Sequence, residues 1–188
     1  YLHNQVRELM TNYGKIDILW FDFSYKGHMG EDWHGTELVK LVKSLQPDII
    51  MNGRLEANGE NYGSVMTDEP NVFSGDFASP EMIIPPAGLQ TPSGMDVPWE
   101  ACFTLNNNWG YSPNDKQHKN PRQIIKKLVE CVSKNGNMLL NVSPTAKGDI
   151  PQWQQDVLGT VGNWIRDYGD SIYSCGRSAF SMHDSRRF

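Results

Sequence analysis

The sequence lacks both a basic stripe and a long apolar run. It carries 17 Lys and Arg against 22 Asp and Glu, a net charge of −5. Phosphate binding needs concentrated Lys and Arg, so nucleic acid is not the expected partner. No apolar run approaches the length of a membrane-spanning helix, so no membrane partner is expected either.

Cysteine is also scarce, and the commonest cofactor motifs are absent. The three cysteines, Cys102, Cys131 and Cys175, are widely spaced, and the five histidines are scattered. This arrangement predicts no zinc-type metal site. The motifs GxGxxG and GxxxxGK[ST] do not occur, so the sequence predicts neither of the two commonest kinds of nucleotide-binding site.

What is present is an apolar stretch that ends in a charge. Residues 16–21 form a short, mostly apolar run that predicts a buried parallel strand. Asp22 follows it, with aromatic residues on both sides and Trp20 two positions earlier. A carboxylate in that setting is costly unless it is paired or used. Asp22 is therefore a candidate functional residue. The alternative is a structural role for its side chain, as a helix cap or as a hydrogen-bond partner within a loop.

Helical and extended segments alternate along the chain. Apolar spacing predicts helices over residues 1–12, 35–46, 121–135 and 151–168. Short strands are predicted at 16–21, 48–51, about 75–81, 99–105 and 137–142. Such alternation favours a mainly parallel sheet and, among α/β folds, a (β/α)8 TIM-like barrel. Because about five strands are visible, we expect only the later strands of the barrel.

In such a barrel the site lies on the loops that follow the strands. Asp22, Arg54, Glu81 and Trp109 all follow strand candidates. Two carboxylates at strand ends are the minimum for glycoside hydrolysis, one as nucleophile or base and one as proton donor. Asp22 suits the first role because its side chain is short and lies at a rigid strand end.

The proton donor has two candidates. Glu81 precedes the apolar residues 82–84, a dry neighbourhood that suits a donor, and Glu100 follows Trp99. The residues alone leave the choice open. Trp20 and Trp109 would offer flat faces to the C–H side of a sugar.

At these residues the chain resembles the α-L-fucosidases of glycoside hydrolase family 29. The resemblance runs from the first helix to about residue 173. The matching stretches are YG at 13–14, IDILWFD at 16–22, NGR at 52–54, GDFASPE at 75–81, WEAC at 99–102, WGY at 109–111 and SKNGNMLLNVSP at 133–144. Each is short, but their order and spacing together are specific.

The resemblance implies a retaining mechanism that releases terminal α-L-fucose from an oligosaccharide or glycoconjugate. Asp22 matches the nucleophile, and Glu81 matches the general acid/base, with Glu100 as second choice. Trp20, Arg54 and Trp109 match positions that line the fucose pocket. The resemblance implies no metal and no organic cofactor, and it favours a secreted, periplasmic or lysosomal-type location.

The resemblance also has a boundary. Residues 1–175 match the C-terminal part of the catalytic barrel, and we expect residues 176–188 to be a tail or the truncated start of a following segment. The opening residues already have the apolar spacing of a helix interior, so we expect the chain to begin within a larger protein. Two alternatives remain open: a retaining glycosidase for another sugar, and a carbohydrate-binding remnant without turnover.

Overall fold

The computed structural model describes residues 1–22, 24–59 and 61–180. In chain order the helices and strands are α1 (Leu2–Asn12), β1 (Ile18–Leu19), α2 (Gly35–Leu45), β2 (Ile50–Met51), β3 (Trp99–Thr104), α3 (Pro121–Ser133), β4 (Gly136–Asn141) and α4 (Gln152–Tyr168). The four predicted helices are all confirmed, each to within about two residues. The chain is α/β, and it divides into two units.

The first unit comprises Tyr1–Glu81 and Leu89–Trp99. Strands β1 and β2 pair in parallel, with Ile18 opposite Ile50 and Leu19 opposite Met51. The core of this unit combines residues of α1, α2 and both strands, among them Val6, Met10, Leu19, Leu38, Val42 and Met51. Helix α1 stops just before Gly14, whose φ of +79° suits a residue without a side chain.

The first strand is much shorter than its apolar run predicts. Asn52, fully buried, takes the place of a backbone partner for Phe21: its amide oxygen accepts from the Phe21 N–H at 2.8 Å, and its amide nitrogen donates to the Phe21 carbonyl at 2.9 Å. Regular pairing therefore ends at Leu19. The prediction of a wholly buried strand is wrong, because Ile18 is 47% exposed.

The segment 75–81 is not a strand. Phe77 and Ala78 form single parallel bridges, to Asn52 and Trp99 respectively. The Asp76 side chain itself accepts the Met51 N–H at 2.8 Å, so a side chain occupies part of the ladder. The predicted strand is replaced by an irregular segment that still runs beside β2.

The second unit comprises Met82–Gly88 and the described part of Glu100–Phe188. Strands β3 and β4 pair in a two-stranded sheet. Its core joins Leu105, Ile124 and Val161 to half-buried apolar residues of α3, β4 and α4. On the helices of this unit, Val129 is 43% exposed, and the half-buried Trp164 ring lies near that of Tyr168, with 5.5 Å between ring centroids.

Helix α3 begins where its sequence predicts. Pro121 occupies the first turn, and the Asn120 side chain accepts from the Gln123 N–H at 3.0 Å while the Gln123 side chain accepts from the Asn120 N–H.

Within the described residues, no helix is long and apolar enough to cross a membrane. The predicted division at residue 175 stays a prediction, and residues 181–188 of the predicted tail lie outside the described residues.

Candidate active site

Arg54 is the centre of a charge cluster in the first unit. It lies in the 3₁₀ helix Gly53–Leu55, directly after β2, and its side chain is only 5% exposed. Its Nη1 atom lies 2.9 Å from Oδ1 of Asp22 and 3.0 Å from Oε2 of Glu81. Two carboxylates from different parts of the chain therefore share one guanidinium nitrogen.

The guanidinium group is held on its other sides as well. Nε donates to the Ser79 hydroxyl at 2.8 Å, and Nη2 donates to the Ser79 carbonyl at 3.1 Å. The Trp20 ring lies beneath it, with Cζ 4.8 Å from the ring centroid. A buried cation is tolerated when its donors are paired in this way, and the same pairing leaves it little freedom to move.

Backbone contacts bring the three charged residues to one edge. The Gly53 N–H donates to the Phe77 carbonyl at 2.8 Å, and this bond aligns the segment that precedes Glu81 with the one that carries Arg54. Gly75, with φ +79°, packs so closely that a Cβ would lie 2.4 Å from the Asn52 carbonyl oxygen. Carboxyl ends of parallel strands meet at one edge, which is where Asp22 and Arg54 follow β1 and β2.

The cluster has a marked difference in exposure. The Arg54 side chain is almost entirely buried, whereas the side chains of Asp22 and Glu81 are 52% and 34% exposed. A ligand can therefore reach both carboxylates while the cation stays behind them. An accessible pair of carboxylates over a fixed positive charge can carry out nucleophilic attack and proton transfer at one bond.

Gly59 is a site residue that sequence reasoning missed. It is buried, and its carbonyl accepts from the Glu81 N–H at 3.1 Å. A Cβ at this position would lie 2.6 Å from Nη2 of Arg54 and 2.7 Å from the Cβ of Glu81. The only sequence signal is an Asn-Gly pair in a polar loop, which indicates a turn and not a close approach.

Ser79 was also missed as a site residue. It lies within the GDFASPE stretch at 75–81, but a serine in a turn gives no sign that both its hydroxyl and its carbonyl accept from a buried arginine. Only the folded structure shows this double contact.

The structure brings together four of the six predicted site residues: Trp20, Asp22, Arg54 and Glu81. Glu100 and Trp109 belong to the second unit. Glu100 is half-buried on β3, and Trp109 is 42% exposed, with its carbonyl accepting from the Asn141 side chain at 2.8 Å. Their roles stay predictions.

Among the residues that the structure describes, no group of three or more His, Cys, Asp or Glu could hold a metal ion.

The chain matches known proteins along nearly its whole length. A sequence model of the alpha-L-fucosidase family matches residues 1–170. Alpha-L-fucosidase isoenzyme 1 from Paenibacillus thiaminolyticus is 55% identical, with a TM-score of 0.90, over 96% of this chain and 42% of that one. The tissue alpha-L-fucosidase of Bos taurus is 39% identical over 176 residues, which are 90% of this chain and 34% of that protein.

A third relative is described by its chemical state. It is an alpha-L-fucosidase of family GH29 from Bacteroides thetaiotaomicron, a covalent intermediate trapped with 2-fluoro-fucosyl fluoride in a Glu-to-Gln mutant. It is 28% identical, with a TM-score of 0.77, over 95% of this chain and 41% of that one. This chain therefore spans well under half the length of each of these three relatives. The family match over residues 1–170 shows that the chain belongs to the α-L-fucosidase family.

Proposed function

We propose that this chain supplies the later strands of a (β/α)8 barrel and the catalytic carboxylates of a retaining α-L-fucosidase. The parallel pair β1 and β2, joined through helix α2, is the repeating unit of such a barrel. Asp22 and Arg54 follow the ends of these two strands, where barrel enzymes carry their sites. The substrate class is a fucosylated oligosaccharide or glycoconjugate.

One observation carries the proposed mechanism: Asp22 and Glu81 contact the same Arg54 nitrogen. With one oxygen at 2.9 Å and the other at 3.0 Å, these two oxygens are at most about 6 Å apart. Retaining glycosidases place their carboxyl groups roughly 5–5.5 Å apart, whereas inverting ones need roughly 6.5–9.5 Å to admit a water. The shared nitrogen therefore favours the retaining arrangement.

In the first step an Asp22 carboxylate oxygen attacks the anomeric carbon of fucose. The bond to the glycosidic oxygen breaks, and Glu81 gives that oxygen its proton, which leaves a covalent fucosyl-Asp22 ester. In the second step Glu81 removes a proton from water, the water oxygen attacks the same carbon, and Asp22 leaves. Two displacements return the original configuration.

Arg54 has a positioning and an electrostatic role in this scheme. It fixes both carboxylates relative to each other, and its charge offsets that of Asp22 before the attack and after its release. Trp20 forms the wall behind Arg54, and Trp109 is proposed as a second aromatic wall of the fucose pocket. Glu100 remains the second choice for the acid/base.

A trapping experiment tests the nucleophile. The Glu81→Gln variant of the protein, as its gene encodes it, would be incubated with 2-fluoro-fucosyl fluoride, digested and examined by mass spectrometry. We expect the fluorofucosyl label on the peptide that contains Asp22, because the slowed second step lets the ester accumulate. A label on another carboxylate, or none in the presence of measurable turnover, would contradict the proposal.

A leaving-group comparison separates Glu81 from Glu100. Proton donation matters for a sugar leaving group and little for fluoride, which leaves without a proton. Glu81→Gln should slow hydrolysis of a fucosyl disaccharide by about 10²–10⁴-fold and affect formation of the ester from α-L-fucosyl fluoride much less. The matched variant Glu100→Gln should lack this leaving-group dependence. The reverse pattern would transfer the acid/base role to Glu100.

Sugar specificity needs its own test. A panel of aryl glycosides, assayed with wild type and Asp22→Ala, should show Asp22-dependent release from the α-L-fucoside and little from the others. Stronger Asp22-dependent release from a different glycoside would keep the mechanism and replace the substrate.

A further inference from the structure

Three aromatic rings form a ladder in the loop that follows β1. Tyr25 and His28 face each other across a tight turn, in which the Tyr25 N–H donates to the His28 carbonyl at 3.2 Å and the His28 N–H donates to the Tyr25 carbonyl at 2.7 Å. Gly27, with φ +81°, permits the turn. The two rings are stacked, 4.5 Å between centroids and 28° between planes.

The ladder is anchored at one end. The His28 ring meets the Trp33 ring edge-on, with 5.5 Å between centroids. Trp33 is half-buried and packs against the core of the first unit, and its carbonyl is hydrogen-bonded to the His3 ring at 2.9 Å. At the other end Tyr25 is 58% exposed, and His28 is exposed as well. The outer rings are thus held in a defined orientation and still face solvent.

The ladder begins next to the charge cluster. Tyr25 is three residues after Asp22, and between them the Ser24 hydroxyl donates to the carbonyl of Arg54 and, at 3.2 Å, to that of Leu55. These bonds tie the base of the turn to the segment that carries the guanidinium.

One cavity borders Trp33 of the ladder and Asp22 of the charge cluster. It has a volume of about 300 Å³, and its lining includes Trp20, Asp22, Ser24 and Trp33. The inner ring of the ladder and the proposed nucleophile therefore border the same space.

Neither packing nor the proposed chemistry accounts for the exposed pair. A tyrosine that is more than half exposed contributes little to the core, and neither Tyr25 nor His28 contacts the shared guanidinium. Stacked aromatic faces fixed beside a glycoside-cleaving site are suited to the C–H face of a pyranose ring, because the ring face carries negative and the C–H groups positive partial charge. The imidazole adds a hydrogen-bonding group for a sugar hydroxyl.

We propose that Tyr25 and His28 form an aromatic platform for the leaving sugar, the pyranose to which fucose is attached. The proposal rests on the proposed fucosidase function and adds a binding subsite to it. Tyr25 would stack on the ring, and His28 would brace Tyr25 and contact a hydroxyl. The platform would select glycans over fucosides whose leaving group has no ring.

Two substrates separate the platform from the fucose pocket. α-L-Fucosyl fluoride occupies only the pocket, whereas a fucosyl disaccharide also presents a pyranose leaving group. In the protein as its gene encodes it, Tyr25→Ala and His28→Ala should each lower kcat/KM on the disaccharide by about fivefold to tenfold and leave fucosyl fluoride within about twofold. Tyr25→Phe should retain wild-type values, because the stacking face is kept.

A matched control is Tyr13→Ala. Tyr13 belongs to the same unit, is 64% exposed, and bonds through its hydroxyl to Glu8 at 3.1 Å, ahead of β1 instead of after it. It should change neither substrate. If Tyr25→Ala lowers both substrates equally or leaves both unchanged while wild type hydrolyses both, the platform is overturned alone. If wild type hydrolyses neither substrate, the proposed function is overturned and the platform with it.

Discussion

Gly59 lies against the two side chains whose geometry the proposed reaction needs. A methyl group there would lie within 3 Å of both the Arg54 guanidinium and the Glu81 side chain. Neither side can yield easily: Arg54 is held by Ser79, and the Glu81 N–H is bonded to the Gly59 carbonyl. The absence of a side chain at Gly59 is therefore part of the site.

The first prediction concerns Gly59→Ala. The added methyl group should push Glu81 away from its place beside Arg54, and a displacement of about 1 Å should cost about 100-fold in kcat. Steady-state kinetics on an aryl α-L-fucoside would measure it. The control Gly159→Ala places its methyl group at an exposed position of helix α4, with no atom within 4 Å, and should keep wild-type kcat. Equal kcat for both variants would contradict the role given to Gly59.

At the scale of elements, Glu56 holds together the loop that follows the Arg54 segment. Its Oε2 accepts from the Ser64 N–H at 2.8 Å, the Ser64 hydroxyl at 2.6 Å and the Ser74 hydroxyl at 3.1 Å, and its Oε1 accepts from the Asn71 side chain at 2.8 Å. Partial burial, the largest single influence, raises the pKa of Glu56, but these hydrogen bonds together outweigh it and lower the pKa below 4.5.

The second prediction follows from the direction of that shift. A carboxyl whose pKa is lower in the folded state stabilises the fold above its unfolded pKa, and this stabilisation is lost as the pH falls through the folded value. Glu56→Gln should therefore lower Tm at neutral pH, and its difference from wild type should shrink as the pH falls below about 4.5. Thermal unfolding followed by circular dichroism would show this.

The same loop offers the control for Glu56. Glu69→Gln, at an exposed position, should leave Tm and its pH dependence close to wild type. A difference between Glu56→Gln and wild type that grew on acidification would show that the carboxylate does not stabilise the loop.

In the second unit, Asp115 organises the loop that carries Trp109. Its Oδ2 accepts from the Asn107 N–H at 2.8 Å and the Asn108 side chain at 2.7 Å, and its Oδ1 accepts from the Gln117 N–H at 2.9 Å. These bonds, that from Gln117 foremost, lower the pKa of Asp115. Trp109 is thus presented by a segment whose shape depends on one carboxylate.

The third prediction is that Asp115→Asn loosens this loop. An amide cannot accept all three bonds, so hydrogen exchange should speed up in residues 106–118, as measured by mass spectrometry. Because Trp109 is proposed to line the fucose pocket, KM should rise severalfold with little change in kcat. Asp156→Asn, an exposed change on α4, is the control. Unchanged exchange in 106–118 would contradict the role of Asp115.

At the scale of the whole molecule, the chain leaves apolar strand residues uncovered. Ile18 of β1 and Ile50 of β2 are 47% and 42% exposed. The chain spans 42% of the P. thiaminolyticus enzyme and 34% of the B. taurus protein. A fucose pocket built from further strands would need residues beyond those 188.

The fourth prediction is that the 188-residue chain alone releases little or no nitrophenol from an aryl α-L-fucoside. The physical reason is that Asp22 and Glu81 would bind a sugar from one side only, without the rest of a pocket to fix it. Release by the isolated chain that Asp22→Ala abolishes would show that these residues suffice.

Much of the fold was predictable because periodicity and punctuation are local. Pro121 lies in the first turn of α3, and Gly14 follows the end of α1, as their sequences predict. The strands were less predictable. β1 is short because the Asn52 side chain replaces a backbone partner of Phe21. Nothing in the local sequence around Asn52 predicts that contact.

The sequence by itself determined which segments form the four α-helices and that Asp22 and Arg54 follow strands, whereas its prediction of a strand before Glu81 is wrong. It also determined the family, through short motifs in a specific order. Only the tertiary structure decided that both carboxylates meet at one nitrogen of Arg54, and that Gly59 closes against them. The reason is physical: Asp22 and Glu81 are far apart in the chain, so their meeting depends on strand register and loop path, which no local pattern encodes.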